Sequence, residues 1–424
     1  MANIDIDEEN FEVPKGVKVL PIGIGQGGSK LAKKIGMAFD SKSKCVYINT
    51  SASDIDGLEL VGNELNRKIS IGAKADDFKT NANGEILKDA NGNPIPLDNI
   101  DGAGKDRKLS YEYFKRHVKE YVAELQTFLT EEPYDLIFIC FSTAGGTGSG
   151  IGPKLTKVIS SLNILNDIEA KTGRRPLVFG IPELPELNSG KEGSLSYANT
   201  LEALKEIDEI VNPEDQSGAK IPNAVSLARF LLVNNSYAKG KHLEHSEQLE
   251  TTNESVASYL IRYFGTFGVS RKATLDRSDR FNACKVMGLH SFMAFNGNGT
   301  RVESPFVLPD GERVKRCCYE VPESAECIVE SVIQSTGSSI DDIVHGFYES
   351  ETLSPIIALH GFRNVSKIAE QYDKRLKQLH ENQTRIEADN IYSATGLNDL
   401  AAEKQKRDLE YGAAGAVGNV EDLF

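Results

Sequence analysis

Nine residues, Ser142 to Gly150 (STAGGTGSG), constrain this chain more than any others. The apolar run Leu136-Ile137-Phe138-Ile139-Cys140-Phe141 precedes them and reads as a buried parallel strand. Ile151, Leu155, Val158 and Leu162 follow, spaced like one face of a helix. The loop therefore sits at a strand's carboxyl end and opens a helix, which is where a doubly wound sheet binds ligands. Gly145, Gly146, Gly148 and Gly150 carry no Cβ, so backbone N–H groups can approach an anion. Thr143, Ala144 and Thr147 complete the loop, and the hydroxyls of Thr143, Thr147 and Ser149 add donors. A helix N-terminus adds partial positive charge. The physical reading is a phosphate cradle; the alternative is a flexible glycine turn. No GxxxxGK[ST] run occurs, so this is not a Walker loop.

Ala144 to Gly150, AGGTGSG, resembles the [GA]GGTG[ST]G signature of the tubulin/FtsZ superfamily. The resemblance implies an α/β fold: a doubly wound parallel-sheet GTPase domain joined by a long central helix to a smaller α+β domain. It extends over roughly residues 16–362. The expected divisions are a disordered arm over 1–15, a GTP-binding domain over 16–245, and the central helix with a catalytic loop over 246–284. A smaller domain over 285–362, C-terminal helices over 363–411 and a flexible tail over 412–424 complete the chain. GTP/GDP and Mg²⁺ are the implied cofactors.

Other loops bear on that resemblance. Val17 to Ile24 reads as a strand, with Pro21 unusual in a central position. Gly23-x-Gly25-x-x-Gly28, opening a helix, is by itself a dinucleotide fingerprint. The resemblance instead implies that Gly25, Gln26, Gly27 and Gly28 meet the α- and β-phosphates, with Gln26 near Mg²⁺. Cys45 to Asn49 is the next strand. A dehydrogenase would end it with an acid for the ribose, whereas this chain has Asn49-Thr50-Ser51. Asp54 could stand behind Mg²⁺ or simply start a helix. Residues 75–100 carry two Asn-Gly turns and read as a hairpin insertion. Gly102, Ala103 and Gly104 then precede a helix expected over 109–128. By resemblance they wrap the γ-phosphate, with Lys105 and Arg107 either neutralising phosphate or solvated.

Glu192-Gly193 matches the loop that contacts the ribose in the family. Asn234 or Asn235, after a strand, falls where the family places a residue near the base. The central helix is expected over 246–267, with Val256, Leu260, Tyr263 and Phe264 as its apolar face. Asn253 lies one turn earlier, where the resemblance places a guanine contact. An amide offers the donor and acceptor that guanine's N1–H and O6 edge needs. Thr274 to Arg280, TLDRSDR, resembles the family's catalytic loop, with Asp276 and Asp279 as its acids. In isolation Asp279 also reads as a helix cap.

Composition narrows the partners. A formal charge of −14 disfavours generic binding to nucleic acid or anionic membranes. With 40% apolar and 26% charged residues, the chain reads as soluble and globular, and its polar N-terminus is unlike a signal peptide. Six scattered cysteines without CxxC spacing read as reduced core thiols in a cytoplasmic protein. His242 and His245 lack further ligands at metal spacing, so no metal site built from protein side chains is expected.

The function implied is a GTPase that polymerises head-to-tail with itself, its acids acting on the neighbouring subunit's nucleotide. The long C-terminal helix and divergent glycine loops resemble the plasmid or phage TubZ-type group. The acidic tail could dock on an adaptor. The alternatives are an FtsZ-like division filament, a Rossmann oxidoreductase using NAD, and a scaffold that binds GTP without hydrolysing it.

Overall fold

The computed structural model describes residues 16–393 except 41–43, 57–65, 75, 82, 84, 98–101, 188–191, 214–226, 238–243, 266–274, 276, 297–298 and 349–355. The first half alternates strands and helices: β1 (Val19–Ile24), α1 (Gly25–Phe39), β2 (Val46–Asn49), α2 (Ala52–Asp56) and β3 (Arg67–Ser70). Then come α3 (Arg107–Arg116), α4 (Val118–Leu129), β4 (Leu136–Ser142), α5 (Gly146–Ile159), α6 (Leu162–Thr172), β5 (Leu177–Leu184) and α7 (Ser194–Val211). After β6 (Arg229–Leu231) and β7 (Val233–Asn234), the central helix α8 (His245–Gly265) leads to α9 (Arg277–Ala283). The remainder holds β8 (Gly288–Phe295), β9 (Arg301–Val302), β10 (Arg313–Val314), β11 (Arg316–Pro322), α10 (Glu326–Gln334), β12 (Ser339–Ile340), β13 (Ile343–Tyr348), β14 (Ile356–Phe362) and α11 (Val365–Ser393).

One sheet runs β13-β11-β14-β8-β6-β5-β4-β1-β2-β3. From β6 to β3 every neighbour is parallel. The C-terminal strands continue the same sheet because β8, returning after α8, lies parallel beside β6. That pairing occupies an edge which would otherwise be open. β14 then pairs antiparallel with both β8 and β11. β1 pairs with β2 only from Ile22 onward, so the missing N–H of Pro21 costs no bond on that side.

Alternation along β4 divides the core. Phe138 and Cys140 join Leu31, Ile35, Val256, Leu260 and Phe264 on the α1/α8 face. Ile137, Ile139 and Phe141 join Tyr113, Leu125, Ile151, Leu155 and Leu204 on the other. The period of 2 in the strand thus feeds two helical layers.

Two sequence expectations are revised. The helix expected over 109–128 is two helices, α3 and α4, broken at His117 (φ −119°, ψ 25°). Its ring bonds the Asp77 carboxylate at 2.9 Å and Glu120 at 3.2 Å, which ties the break to the insertion. The insertion itself pairs antiparallel at Phe78/Pro96, Thr80/Ile86 and Lys88/Pro94, as the Asn-Gly turns suggest. Five cysteines are buried, but Cys327 is exposed on α10, so it is not a core thiol. The arm over 1–15, His242, the segment 397–411 and the tail over 412–424 lie outside the described residues. No helix among the described residues is long and apolar enough to cross a membrane.

Behind α8 lies a buried polar knot. His290 and His360 share a hydrogen bond of 2.8 Å between their Nδ1 atoms, and the Tyr263 hydroxyl meets His360 Nε2 at 3.3 Å. Arg280 of α9 donates to the Tyr263 carbonyl at 2.8 Å and pairs with the Glu320 carboxylate of β11. α9 is thereby fastened to both the central helix and the C-terminal strands.

Candidate functional site

Three helices begin at the carboxyl ends of adjacent strands. α1 follows β1, α5 follows β4 and α7 follows β5. None has a capping side chain, and none has an acid in its first turn. Each leaves N–H groups that want an acceptor, and each carries a positive dipole end. Three such ends at one sheet edge make an anion site far stronger than one glycine turn.

Gly25, Gln26, Gly27 and Gly28 form the first turn of α1. Gly25 has φ +70° and lies against Gly148, so the first two loops pack on each other. Gly28 is structural, because a Cβ there would run into the Cys140 carbonyl of β4. Thr143, Ala144 and Gly145 form the turn before α5, with Gly146, Thr147 and Gly148 in its first turn. The Thr143 hydroxyl is spent on Glu183 O and Thr200 Oγ1, both at 3.0 Å. Ser149 Oγ is spent on the Gly145 carbonyl, so it is not a free donor as its sequence position suggests. Thr147 Oγ1 meets Thr50 Oγ1 at 2.7 Å, joining the loop after β2 to the cradle.

Gly102, Ala103 and Gly104 lie in the loop ahead of α3, with Gly102 N donating to Thr50 O at 3.1 Å. This loop packs on the cradle: a Cβ on Gly146 would stand 2.9 Å from both Asp106 N and Lys105 C. Asn199 of α7, which the sequence did not single out, donates to Lys105 O at 2.8 Å and Ala144 O at 3.4 Å. The two candidate phosphate cations have other partners. Lys105 Nζ donates to Ser196 Oγ at 3.0 Å, and Arg107 bonds Ser149 O and Glu206, each at 3.0 Å.

Asn49 ends β2, its Oδ1 accepting from Thr50 N at 2.8 Å and its Nδ2 donating to Asp54 at 3.3 Å. It shapes the loop and gives a ribose no carboxylate. Glu192 lies just before α7. Asn234 ends β7, exposed, with its Oδ1 taken by Ser236 N at 2.9 Å. The neighbouring Asn235 instead has an Oδ1 that is buried without a partner among the described residues. Asn253, on α8, is 4% exposed and its Oδ1 is orphaned in the same way. Buried orphans of this kind cost ~1–3 kcal/mol each unless a ligand satisfies them. Two acceptors without donors suit guanine, which presents N1–H and an exocyclic amine. α8 lies along α1 through Lys34, which pairs with Glu250 at 2.8 Å and Glu254 at 2.7 Å.

Sequence reasoning missed Glu183. It stands at the carboxyl end of β5, opposite Ser142 of β4, and is 3% exposed. Its Oε2 has no partner among the described residues and lies 3.2 Å from where a Cβ on Gly27 would be. Burial lifts its carboxyl from 4.5 to about 7, against the pull of Lys30. The signal was one acid in an otherwise apolar strand, PLVFGIPEL. Between pH 4.5 and about 7 the folded chain keeps a proton that the unfolded chain releases, so stability falls as pH rises. Glu183→Gln, neutral at all pH, should therefore stabilise the ligand-free protein by about 3 kcal/mol at pH 8 and hardly at all at pH 4. Denaturant unfolding at the two pH values measures this; equal effects at both would mean the carboxyl is not held neutral.

Asp279 sits in the first turn of α9, half-buried, while Asp276 lies outside the described residues. α9 is held against α8 and β11 through Arg280. Arg229, the first residue of β6, donates to Cys284 O and to Lys285 O at 2.8 Å, which places the end of α9 at the amino ends of the strands. The structure thus brings the glycine loops together and keeps Asp279 apart from them.

A family model described as tubulin-like matches residues 102–295. Cell division protein FtsZ 1 of Methanocaldococcus jannaschii is 26% identical over 224 residues, covering 51% of this chain and 49% of that protein. The chain thus matches about half the length of that relative. Among solved structures, GDP-form protofilaments of Bacillus thuringiensis serovar israelensis TubZ share 15% identity at a TM-score of 0.61, covering 89% of this chain and 92% of that one. The GTPγS-bound protofilament of CetZ2 from Haloferax volcanii shares 18% identity at a TM-score of 0.57, covering 87% and 100%. Over the matched segment the chain is similar to tubulin-like proteins and to FtsZ, it shares its fold with TubZ and CetZ2, and its AGGTGSG loop stands at the head of α5 within that segment.

Proposed function

We propose that the chain binds GTP in this cradle, hydrolyses it, and assembles head-to-tail so that α9 of one subunit meets the nucleotide of the next. The carrying observation is the separation of the two half-sites. Between them runs α8, 21 residues long, which spans about 30 Å at 1.5 Å per residue. One subunit's Asp276 and Asp279 therefore serve a neighbour's nucleotide, where they orient the attacking water. Phosphoryl transfer asks mainly for positioning and charge stabilisation, so one group supplied from outside is sufficient. A heterologous contact that does not close makes a filament. That the similar TubZ and CetZ2 were solved as protofilaments supports this reading.

The N-termini of α1, α5 and α7 hold the phosphates, Glu192 the ribose, and Asn253 with Asn234 or Asn235 the base. Gln26 would lie beside a Mg²⁺ carried in with the nucleotide, whose chemistry there would be to neutralise phosphate charge. The cellular role proposed is segregation or positioning of plasmid or phage DNA, reached through an adaptor on the tail rather than by direct contact with DNA or membrane. Phosphate release measured in parallel with GTP, ATP and NADH, alongside pelleting of polymer, tests the activity. GTP-specific release that accompanies pelleting is expected. Turnover of ATP at the same rate, or binding of NADH instead, would overturn the reading.

Base choice gives a separate prediction. Adenine offers an acceptor at N1 where guanine offers a donor, so the orphaned Asn253 Oδ1 favours guanine. Asn253→Ala should weaken GTP binding by about tenfold to a hundredfold, the cost of one buried hydrogen bond, and leave ATP binding as weak as before. A competition assay reads both; unchanged selectivity removes Asn253 from the base pocket.

A further inference from the structure

A carboxylate is an unexpected neighbour for a polyphosphate. Yet Glu183 stands among the groups that shape the cradle. Its backbone carbonyl accepts from Thr143 N and Thr143 Oγ1, both at 3.0 Å, just before the signature glycines. Its Oε2 points at Gly27, in the first turn of α1, without a partner among the described residues. Gly27 and Ser142 leave the space that this side chain fills, since a Cβ on Gly27 would press on Ser142 Cβ at 3.1 Å as well as on the carboxyl. The charged group acting on it is Lys30, on the exposed side of α1, and the titratable group behind it is the buried thiol of Cys140 on β4.

We propose, on the reading that the cradle binds GTP or GDP, that Glu183 is a nucleotide ligand that works in its protonated form, donating its O–H to a sugar–phosphate oxygen, so that binding takes up a proton. An ionised carboxylate buried here would repel the phosphates in a medium that screens poorly. The neutral acid instead supplies a donor and keeps an acceptor. The proton comes from solvent onto the carboxylate, and no other bond changes. Burial already brings this group to about 7 without ligand. The added negative charge of the nucleotide raises it further. Above that value, affinity should fall by up to tenfold per pH unit, the slope of a single linked proton, until the bound complex itself begins to lose it.

The test is calorimetry of GDP binding to the full chain at pH 8, in phosphate and in Tris buffer, whose protonation enthalpies differ. The wild-type protein should take up a fraction of a proton approaching one. Glu183→Gln should bind GDP with affinity that is flat from about pH 7 to 8.5, between the titrations of the nucleotide's own phosphate and base, and with no uptake linked to the protein. Tight GDP binding by the wild-type protein without uptake at pH 8 overturns the proposal, and this measurement needs no variant. Uptake that persists in Glu183→Gln also overturns it, since the proton then goes to the nucleotide or elsewhere. Failure of the wild-type protein to bind GDP at any pH is a different result: it removes the nucleotide reading itself.

Discussion

Asp276→Ala protein should bind GTP as tightly as the unaltered chain and hydrolyse it ~10²–10⁴-fold more slowly, the usual contribution of a group that positions or activates water. Asp279→Ala should behave similarly. Both outcomes follow from the proposed shared site, and the end of α9 does lie at the amino ends of the strands, opposite the cradle. On that proposal the acids make no contact with the nucleotide of their own subunit, so affinity in the monomer should not change. Filaments of the variant should persist rather than turn over. Because the proposed site is shared, turnover per subunit should rise steeply with protein concentration above an assembly threshold. Mixing Asp276→Ala with a cradle-blocked variant should restore some activity wherever the intact halves meet in one polymer. Activity that is independent of dilution, or an Asp276→Ala monomer that no longer binds GTP, would place the acids in the wrong site.

The cradle-blocked partner is Gly146→Val, and its expected effect is loss of GTP binding by one to two orders of magnitude or more. The sequence alone suggests that a Cβ here would intrude on the phosphates. The structure gives a different cause. The new atom meets the backbone at Lys105 and Asp106, which belongs to the third loop. Overpacking against backbone costs ~1–3 kcal/mol, and the loop carrying Gly102, Ala103 and Gly104 must move away from the nucleotide. Gly145→Ala is the control, since a Cβ there meets nothing within 4 Å of protein. Gly145→Ala should keep the three loops together and the protein folded, whereas Gly146→Val should bind poorly while melting near the wild-type temperature. Full GTP affinity in Gly146→Val would separate the third loop from the site.

Much of this architecture was legible in the residues. Apolar strands followed by glycine turns and helical periodicity gave β1–α1, β4–α5 and the crossover through α8, because those patterns leave few alternatives for burying both faces of a sheet. The break at His117 was not legible, since it depends on a tie to Asp77, forty residues away and across the insertion. Nor were the roles within the cradle. Thr143, Ser149, Lys105 and Arg107 look like ligands by type, but each finds a partner inside the protein that only the folded chain reveals. Conversely, Glu183 becomes conspicuous only when burial leaves its Oε2 without a partner among the described residues. Hydrogen-bond satisfaction is a tertiary property, and sequence patterns report it poorly.

The buried histidine pair behind α8 carries a consequence for where in the acidity range this molecule works. Burial holds His360 at about 3 and His290 well below its ordinary value, so both stay neutral in the folded chain. As the surroundings acidify through about 6.5, the unfolded imidazoles accept protons that the folded pair refuses, and the α9 end loses stability. Glu183, at the opposite end, asks for the reverse: it sits most comfortably where protons are plentiful and is penalised as the medium turns alkaline. The two poles of one subunit thus prefer opposite drifts from neutrality. If Glu183 meets the nucleotide as proposed, a modest fall in pH would strengthen binding at the cradle while softening the packing that holds α9.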